Sequence, residues 1–518
     1  MLIDALQNRA LYDHPVERFE VVETHISWVL LTGPYAYKIK KPVDLGFLDF
    51  STLEKRRFYC REELRLNRRL APDLYVDIVV ITGSARAPIL GGAGPVIDYA
   101  VKMKQFPGEA QLDRVLARGG LTAEHVDALA REIAEFHGRA VIAGEGTPFG
   151  EPERIAQPVR ENFRQLGERL GDPNDRSRLD RLESWSEAEH AALGFEFEAR
   201  KRGGYVRECH GDLHLANIAW IGGRPVAFDC IEFSESLRWI DVMSEVAFLT
   251  MDLDDRGAPH LARRALNTYL EQTGDYAGLR VLRFYRVYRA MVRAKVACIR
   301  MDQAGTGDRD RERLRQEALG YLDLAERYTR PTRPALLITH GFSGSGKTTL
   351  TQALVDAWGA LRVRSDVERK RLFGLSPDAR TASDVASGLY GREAGERTYA
   401  RLAELARVVV GSGYSCIVDA AFLQRAQRAL LREVADDTGV PFAILDVRAP
   451  EAVLRSRILA REREGRDASE ADLAVLGHQL ATSEPIGPGE GAEVLAVETE
   501  PPCDLRQLIA ALDRLTPS

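Results

Sequence analysis

Residues 341–348 read GFSGSGKT, directly after the apolar run ALLITH and directly before the helical run TTLTQALVDAW. Few folds accept that arrangement. Glycines at both ends let a loop wrap its backbone amides around a polyphosphate, and the helix that follows at once points its N-terminus at the same charge. The candidate phosphate-binding set is Gly341, Ser343, Gly344, Ser345, Gly346, Lys347, Thr348 and Thr349. Lys347 supplies a compact positive charge to the β- and γ-oxygens, and the Thr348 hydroxyl can ligate Mg²⁺.

The surroundings of this loop read as an α/β domain over residues 335–518. Pro331 and Pro334 follow a highly charged helical stretch and mark a linker. Strands are expected at 335–340, 361–365, 415–419, 442–447 and 493–497, alternating with helices, which is the pattern of a parallel, doubly wound sheet. A carboxylate at a strand end lies where ligands bind in such sheets. Asp366 has that position, with Arg369 three residues on, so that one can accept a hydroxyl proton while the other holds a substrate or phosphate oxygen. Asp419 closes the third strand, where it can hold Mg²⁺. Arg457, Arg461 and Arg463 lie on a basic helical stretch that runs into residues 465–469 and breaks there at Gly465, the pattern of an arginine-bearing lid over the phosphates. This part of the chain resembles small P-loop kinases of the gluconate kinase type. Its Asp366-x-x-Arg369 motif also resembles 5′-hydroxyl polynucleotide kinases and zeta-toxin-type kinases.

Before the linker, strands come first and helices later. A small β-rich lobe is expected over 1–107 and a helical lobe over 108–330, an α+β arrangement with a cleft between the lobes. Two short runs around Gly33-Pro34 read as a hairpin, and a helix beginning with an N-cap at Ser51 follows. Residues 208–233 read ECHGDLHLANIAWIGGRPVAFDCIEF. Gly222-Gly223 is a two-residue turn, which pairs Ile221 with Arg224, Trp220 with Pro225, and Asn217 with Phe228. Asn217 then lies beside Asp229, and an amide and a carboxylate meeting there suit Mg²⁺ on nucleotide phosphates. Asp212, at the start of the same loop, can accept a substrate hydroxyl proton.

The pattern HGDxxxxN, then a short hairpin and a second Asp, resembles the aminoglycoside phosphotransferase family, a branch of the protein-kinase-like fold. The resemblance implies Asp212 as catalytic base, Asn217 and Asp229 as metal ligands, and His210 and Asp241 as loop-bracing residues. It also implies a small-lobe lysine paired with a glutamate on the next helix. Lys38 in YAYK fits that lysine, with Lys40 on the same strand face as the alternative, and Glu63 fits the partner, with Glu62 beside it. Residues 101–106 would form the inter-lobe hinge. The small lobe lacks a clear glycine-rich phosphate loop, and the chain lacks an acidic cluster that would select a polycationic aminoglycoside.

Composition narrows the partners. The chain carries 71 basic and 77 acidic residues, a net charge of −6, so no overall basic excess points to nucleic acid. It has no apolar run long enough to span a membrane, and its N-terminus lacks a signal-peptide pattern, so a cytoplasmic location is expected. The six cysteines form no CxxC pair. Only 10 of the basic residues are lysine, which draws attention to Lys38, Lys40 and Lys347. The expected function is a bifunctional phosphotransferase, with each domain carrying phosphate from Mg·ATP to a small-molecule hydroxyl. The alternatives are a ligand-sensing N-terminal pseudokinase fused to an active P-loop kinase, and a C-terminal 5′-hydroxyl polynucleotide kinase.

Overall fold

The protein is described from a computed structural model. It describes residues 2–44, 46, 48–302, 307–377, 379, 391–464, 472–487, 490, 492–500 and 503–516. The chain forms two compact units, one of Met1–Arg256 with Phe284–Ala325, the other of Gly257–Arg283 with Glu326–Ser518. The sequence reading places one boundary, near residue 330; the second unit also takes in an earlier segment, Gly257–Arg283.

The first unit opens with six strands, β1 (Glu20–Glu23), β2 (Ser27–Leu31), β3 (Tyr35–Lys40), β4 (Tyr75–Ser84), β5 (Ala87–Leu90) and β6 (Val96–Lys104). They pair antiparallel in the order β1-β2-β3-β6-β4-β5. The two-residue period of β3 divides its side chains. Tyr37 and Ile39 join a core with Leu30, Ile81 and Ala100, so Lys38 and Lys40 share the opposite face. Helix Leu53–Asn67 follows β3, and Cys60 from it packs with Tyr75, Tyr99 and Val101. Its N-cap is Thr52, whose hydroxyl accepts from the Lys55 amide, not Ser51. Ser51 instead donates its hydroxyl to Asp49. The two neighbours are both good caps, and the one whose side chain reaches back into the first turn takes the role.

The rest of this unit is helical apart from two short ribbons. In the first, β7 (Val206–Glu208) pairs with β10 (Trp239–Asp241). In the second, β8 (Ile218–Ile221) pairs with β9 (Arg224–Ala227) in the register set by the turn, Ile221 opposite Arg224 and Trp220 opposite Pro225. Gly222 and Gly223 have φ of 59° and 79°, the two left-handed positions that a tight hairpin of this kind requires.

The second unit is a five-stranded parallel sheet, β11 (Leu336–His340), β12 (Leu361–Arg364), β13 (Cys416–Asp419), β14 (Phe442–Arg448) and β15 (Glu493–Glu498). Its order is β12-β13-β11-β14-β15, with every pair parallel. Leu337, Ile417, Ala443 and Leu445 form its core with Leu350 and Leu354 of helix Lys347–Ala357. Helix Pro259–Thr273, from the early segment, packs on that helix and on β12. Its residues Asn267 and Glu271 bond to Arg362 of β12, at 2.7 Å to the amide and 2.9 Å to the guanidinium. In sequence this helix has the same amphipathic pattern as its neighbours, so nothing local tells which sheet it covers.

Candidate functional site

In the first unit the HGD loop runs from β7 to β8. Asn217 donates from Nδ2 to both the carbonyl and the carboxylate of Asp212, each at 3.0 Å. That use of its NH₂ turns the amide oxygen away from Asp212. The Phe228 amide donates to the Asn217 carbonyl at 2.9 Å, which brings Asp229 to the open end of the hairpin. Asp229 has φ of 64°, a left-handed backbone uncommon outside glycine, and its side chain is 46% exposed. Its amide is fixed by the Tyr75 hydroxyl at 3.1 Å. Packing against protein pushes the Asp212 carboxyl up, but the His214 and Arg293 charges outweigh that and hold it well below the usual carboxylate range.

Two lysines, not one, meet the helix glutamate. Lys38 lies 2.9 Å from Glu63 Oε1 and also pairs with Asp229. Lys40 lies 2.6 Å from Glu63 Oε2 and pairs with Glu232. Glu63 is fully buried, while Glu62 points elsewhere, to Arg65 and Arg238. Burial opposes the charge on Lys38, but Asp229 and Glu63 overcome it and hold the lysine firmly protonated.

The loop backbone is held by residues that the motif does not contain. Glu245, on helix Val242–Asp255, accepts from the His210 amide at 3.1 Å and the Gly211 amide at 2.8 Å. His137 touches the same carboxylate at 3.2 Å. Burial raises the Glu245 carboxyl, but the His137 contact, the His210 charge and the Gly211 amide bring it down to about 2. Arg289 donates to the Gly211 carbonyl at 3.1 Å, and Asp252 accepts from the Leu215 amide at 2.9 Å. A Cβ at Gly211, with φ of 90°, would stand 2.8 Å from the Leu237 carbonyl, so the loop passes too close there for any side chain. Of the two bracing residues that the resemblance implies, His210 reaches the Phe228 carbonyl at 2.9 Å. Asp241 holds Arg200 at 2.6 and 2.8 Å and caps helix Val242–Asp255 rather than touching the loop. Glu245 and Asp252 lie in WIDVMSEVAFLTMD, where their spacing from Asp241 was the only available signal.

In the second unit the loop after β11 and helix Lys347–Ala357 form the phosphate cradle. Lys347 donates to its own loop, to the carbonyls of Gly341 at 2.9 Å and Phe342 at 2.8 Å. Asp419 accepts from Thr351 at 3.1 Å, and Arg369 pairs with Asp366 at 3.1 Å. Burial lowers Lys347 to about 8, with Asp419 and Asp366 pulling the other way and Arg461 adding to the fall. Asp419, Asp366 and Arg461 are therefore close enough to act on Lys347. Arg457 bonds the Thr499 hydroxyl at 2.8 Å and reaches the Gly344 carbonyl at 3.4 Å, which sets it against the cradle. The break that follows its helix, residues 465–469, lies outside the described residues. Arg463 is exposed near the end of helix Glu451–Glu464. Gln479 accepts from the Ser343 amide at 2.8 Å, a contact with no counterpart in the motif.

These residues fit a nucleotide. In the cradle, a Cβ at Gly344 would stand 2.6 Å from the Leu454 carbonyl, and the buried Ser345 hydroxyl has no hydrogen-bond partner within the protein. Thr348 and Asp419 offer oxygen donors, as do Asn217 and Asp229 in the first unit, and hard oxygen donors suit Mg²⁺.

With this geometry in hand, comparison with known proteins gives a consistent picture. A phosphotransferase enzyme family matches residues 59–285, and an AAA domain family matches residues 336–486. The uncharacterized protein Rv2004c of Mycobacterium tuberculosis (strain ATCC 25618 / H37Rv) is 31% identical over 484 residues, covering 91% of this chain and 94% of that protein. The chain belongs to this family. This chain joins an aminoglycoside phosphotransferase-like domain to a P-loop kinase domain, as the two motifs imply. The adenylyl-sulfate kinase of Myxococcus xanthus (strain DK1622) is 29% identical over 154 residues, covering 30% of this chain and 76% of that protein. Choline kinase from Cryptosporidium parvum Iowa II superposes with a TM-score of 0.39 at 12% identity, over 63% of this chain and 94% of that one. The protein is thus an ATP-binding transferase of the kinase class, with a kinase-like unit and a P-loop unit. Among the described residues no helix is long and apolar enough to cross a membrane.

Proposed function

We propose that both units are active, each transferring the γ-phosphoryl group of Mg·ATP to a hydroxyl of a small molecule. In the first unit Asp212 accepts the acceptor's proton, kept ionised by His214 and Arg293. Asn217 and Asp229 would hold the magnesium, and Lys38 would bind a phosphate oxygen while Glu63 keeps it in place. In the second unit the loop amides and Lys347 would hold the β- and γ-phosphates, with Thr348 and Asp419 on the metal side. Asp366 would take the acceptor's proton, and Arg369, which it pairs with, would steady the transferring group. When bound, magnesium supplies charge neutralisation for the phosphates.

The observation that carries this reading is the contact of Asp212 with Asn217 beside the Lys38–Asp229 pair. It sets two carboxylates, an amide and a lysine ammonium side by side, which is what this reading needs. A screen of metabolites with labelled ATP tests it, run on the full chain and on its Asp212→Ala and Lys347→Ala variants. Two acceptor sets, each lost in one variant only, would support two active heads. A set lost in neither variant would count against the assignments.

A further inference from the structure

Next to the HGD loop, within the first unit, lies a cavity of about 660 Å³. That volume suits a small organic molecule. Tyr59, Phe149, Phe233, Trp239, Tyr285 and Tyr288 line it. Trp239 and Phe149 stack at 5.5 Å with 7° between their planes, making one flat wall. At the mouth Phe58 keeps 57% of its surface in solvent, a large apolar side chain left half wet. Among the described residues, none of the metal-type donors or HGD-loop residues of the candidate active site lines this space.

The carboxylates inside are already answered by the protein. Asp241 is held by Arg200 through two hydrogen bonds. Arg238 lies 3.1 Å from Glu208 and donates to the Glu232 carbonyl at 3.2 Å. Glu232 pairs with Lys40, and Glu235 meets Arg238 at 3.5 Å. Arg154 lines the space too, and it is exposed. A polycation finds no unanswered carboxylate here, whereas flat apolar surface with hydroxyls at Ser234, Ser236 and Ser244 is plentiful.

Glu232 has a second attachment. Its partner Lys40 also holds Glu63, and Glu63 holds Lys38, which holds Asp229. One wall of the cavity is thus the first member of a continuous buried chain of charges ending at the candidate metal ligand. We propose that this cavity binds a neutral, hydroxyl-bearing aromatic molecule, and that its filling is felt at Lys38 through Glu232. The binding half stands without any reading of the chemistry. The coupling half rests on Lys38 and Asp229 handling nucleotide.

The test uses the full chain carrying Lys347→Ala, which silences the second nucleotide site. Isothermal titration is run with 2-naphthol, 4-phenylphenol, 7-hydroxycoumarin and indole-3-ethanol, and with kanamycin and glucose as contrasts. At least one aromatic binds at one equivalent with a Kd below about 100 μM, and the contrasts give no heat. Phe149→Ala, Tyr288→Ala and the loop variant Phe233→Ala, each checked for folding by urea unfolding, weaken it at least about tenfold. Failure of all four aromatics, tighter binding of kanamycin or glucose, or unchanged affinity in every folded variant overturns the site. For the coupling, the bound aromatic changes the affinity for a non-hydrolysable ATP analogue at least about threefold, and the analogue changes aromatic affinity by the same factor. Glu232→Gln, its own aromatic affinity titrated alongside, brings that factor to about one. A factor of one in the parent, or an unchanged factor in Glu232→Gln, overturns the coupling. If the analogue does not bind at all, the nucleotide reading fails and the binding result stands by itself.

Discussion

Lys40 holds the second oxygen of Glu63 at 2.6 Å, while the first oxygen is taken by Lys38 at 2.9 Å. The two lysines differ in what else they touch. Lys38 reaches a half-exposed carboxylate, Asp229, and Lys40 reaches a buried one, Glu232. Removing Lys40 leaves two buried carboxylates facing each other. Lys40→Met should therefore cost about 3–5 kcal/mol of stability in urea unfolding. Lys38→Met should cost less stability and more turnover, because Lys40 still answers Glu63. Equal stability losses would show that the two lysines do the same job.

Separate chemistry should be separable by mutation. Asp212→Ala removes a base and should lower first-unit phosphotransfer roughly 10²–10⁴-fold, with nucleotide still bound. Lys347→Ala removes charge from the cradle and should weaken second-unit nucleotide affinity and turnover together. Steady-state turnover of both single variants and the double variant checks this. One variant silencing both activities would mean coupled sites.

The lowered Lys347 gives a pH signature. Its pKa near 8 without phosphate means that it loses its proton as pH rises through that value. A bound polyphosphate favours the protonated form, so analogue affinity at the second site should be flat below about pH 7.5. It should then fall, approaching tenfold per unit, above about pH 8.5. Titrations from pH 6.5 to 9.5 in the Lys38→Met background, which removes the first unit's phosphate-binding cation, measure it, and Lys347→Arg should flatten the curve because arginine stays charged. An affinity that rises with pH would contradict the assignment.

Arg362 is buried on β12 and answered by Glu271 from the early segment, and it donates to the Thr348 carbonyl at 3.1 Å. Glu271→Ala should destabilise the second unit by about 3 kcal/mol or more, since it strands a buried guanidinium. A fragment beginning at residue 333 lacks Asn267 and Glu271 altogether and should melt below the same unit in the full chain. Calorimetry that finds no difference would show that the segment is dispensable.

Legibility followed the range of the interaction. The five strands around the cradle were readable because each is a short apolar run between turn residues, and the β8–β9 register followed from two adjacent glycines. Glu63 was readable only through the family resemblance, which pairs the small-lobe lysine with a glutamate on the next helix. The second pair, Lys40–Glu232, was not, since 192 positions separate its members and a charged residue on a strand normally faces water. Glu245 and Arg362 were missed for the same reason: a buried charge looks like a surface one until its partner is placed. Thr52 in place of Ser51 was a choice between adjacent caps that only backbone geometry decides.

The early segment Gly257–Arg283 has a consequence for how the protein is made. It leaves the ribosome about 80 residues before Arg362, which at 5–20 residues per second is roughly 4 to 16 seconds. During that interval the apolar face of helix Pro259–Thr273, with Leu266 and Leu270, has no strand β12 to cover, although the last helices of the first unit are already emerging. The nascent chain thus carries an exposed sticky helix between the two stretches of the first unit. A gene fusion that cut and joined at the proline linker would inherit this helix on one side and its sheet on the other, so the two halves of this chain do not exchange as independent cassettes.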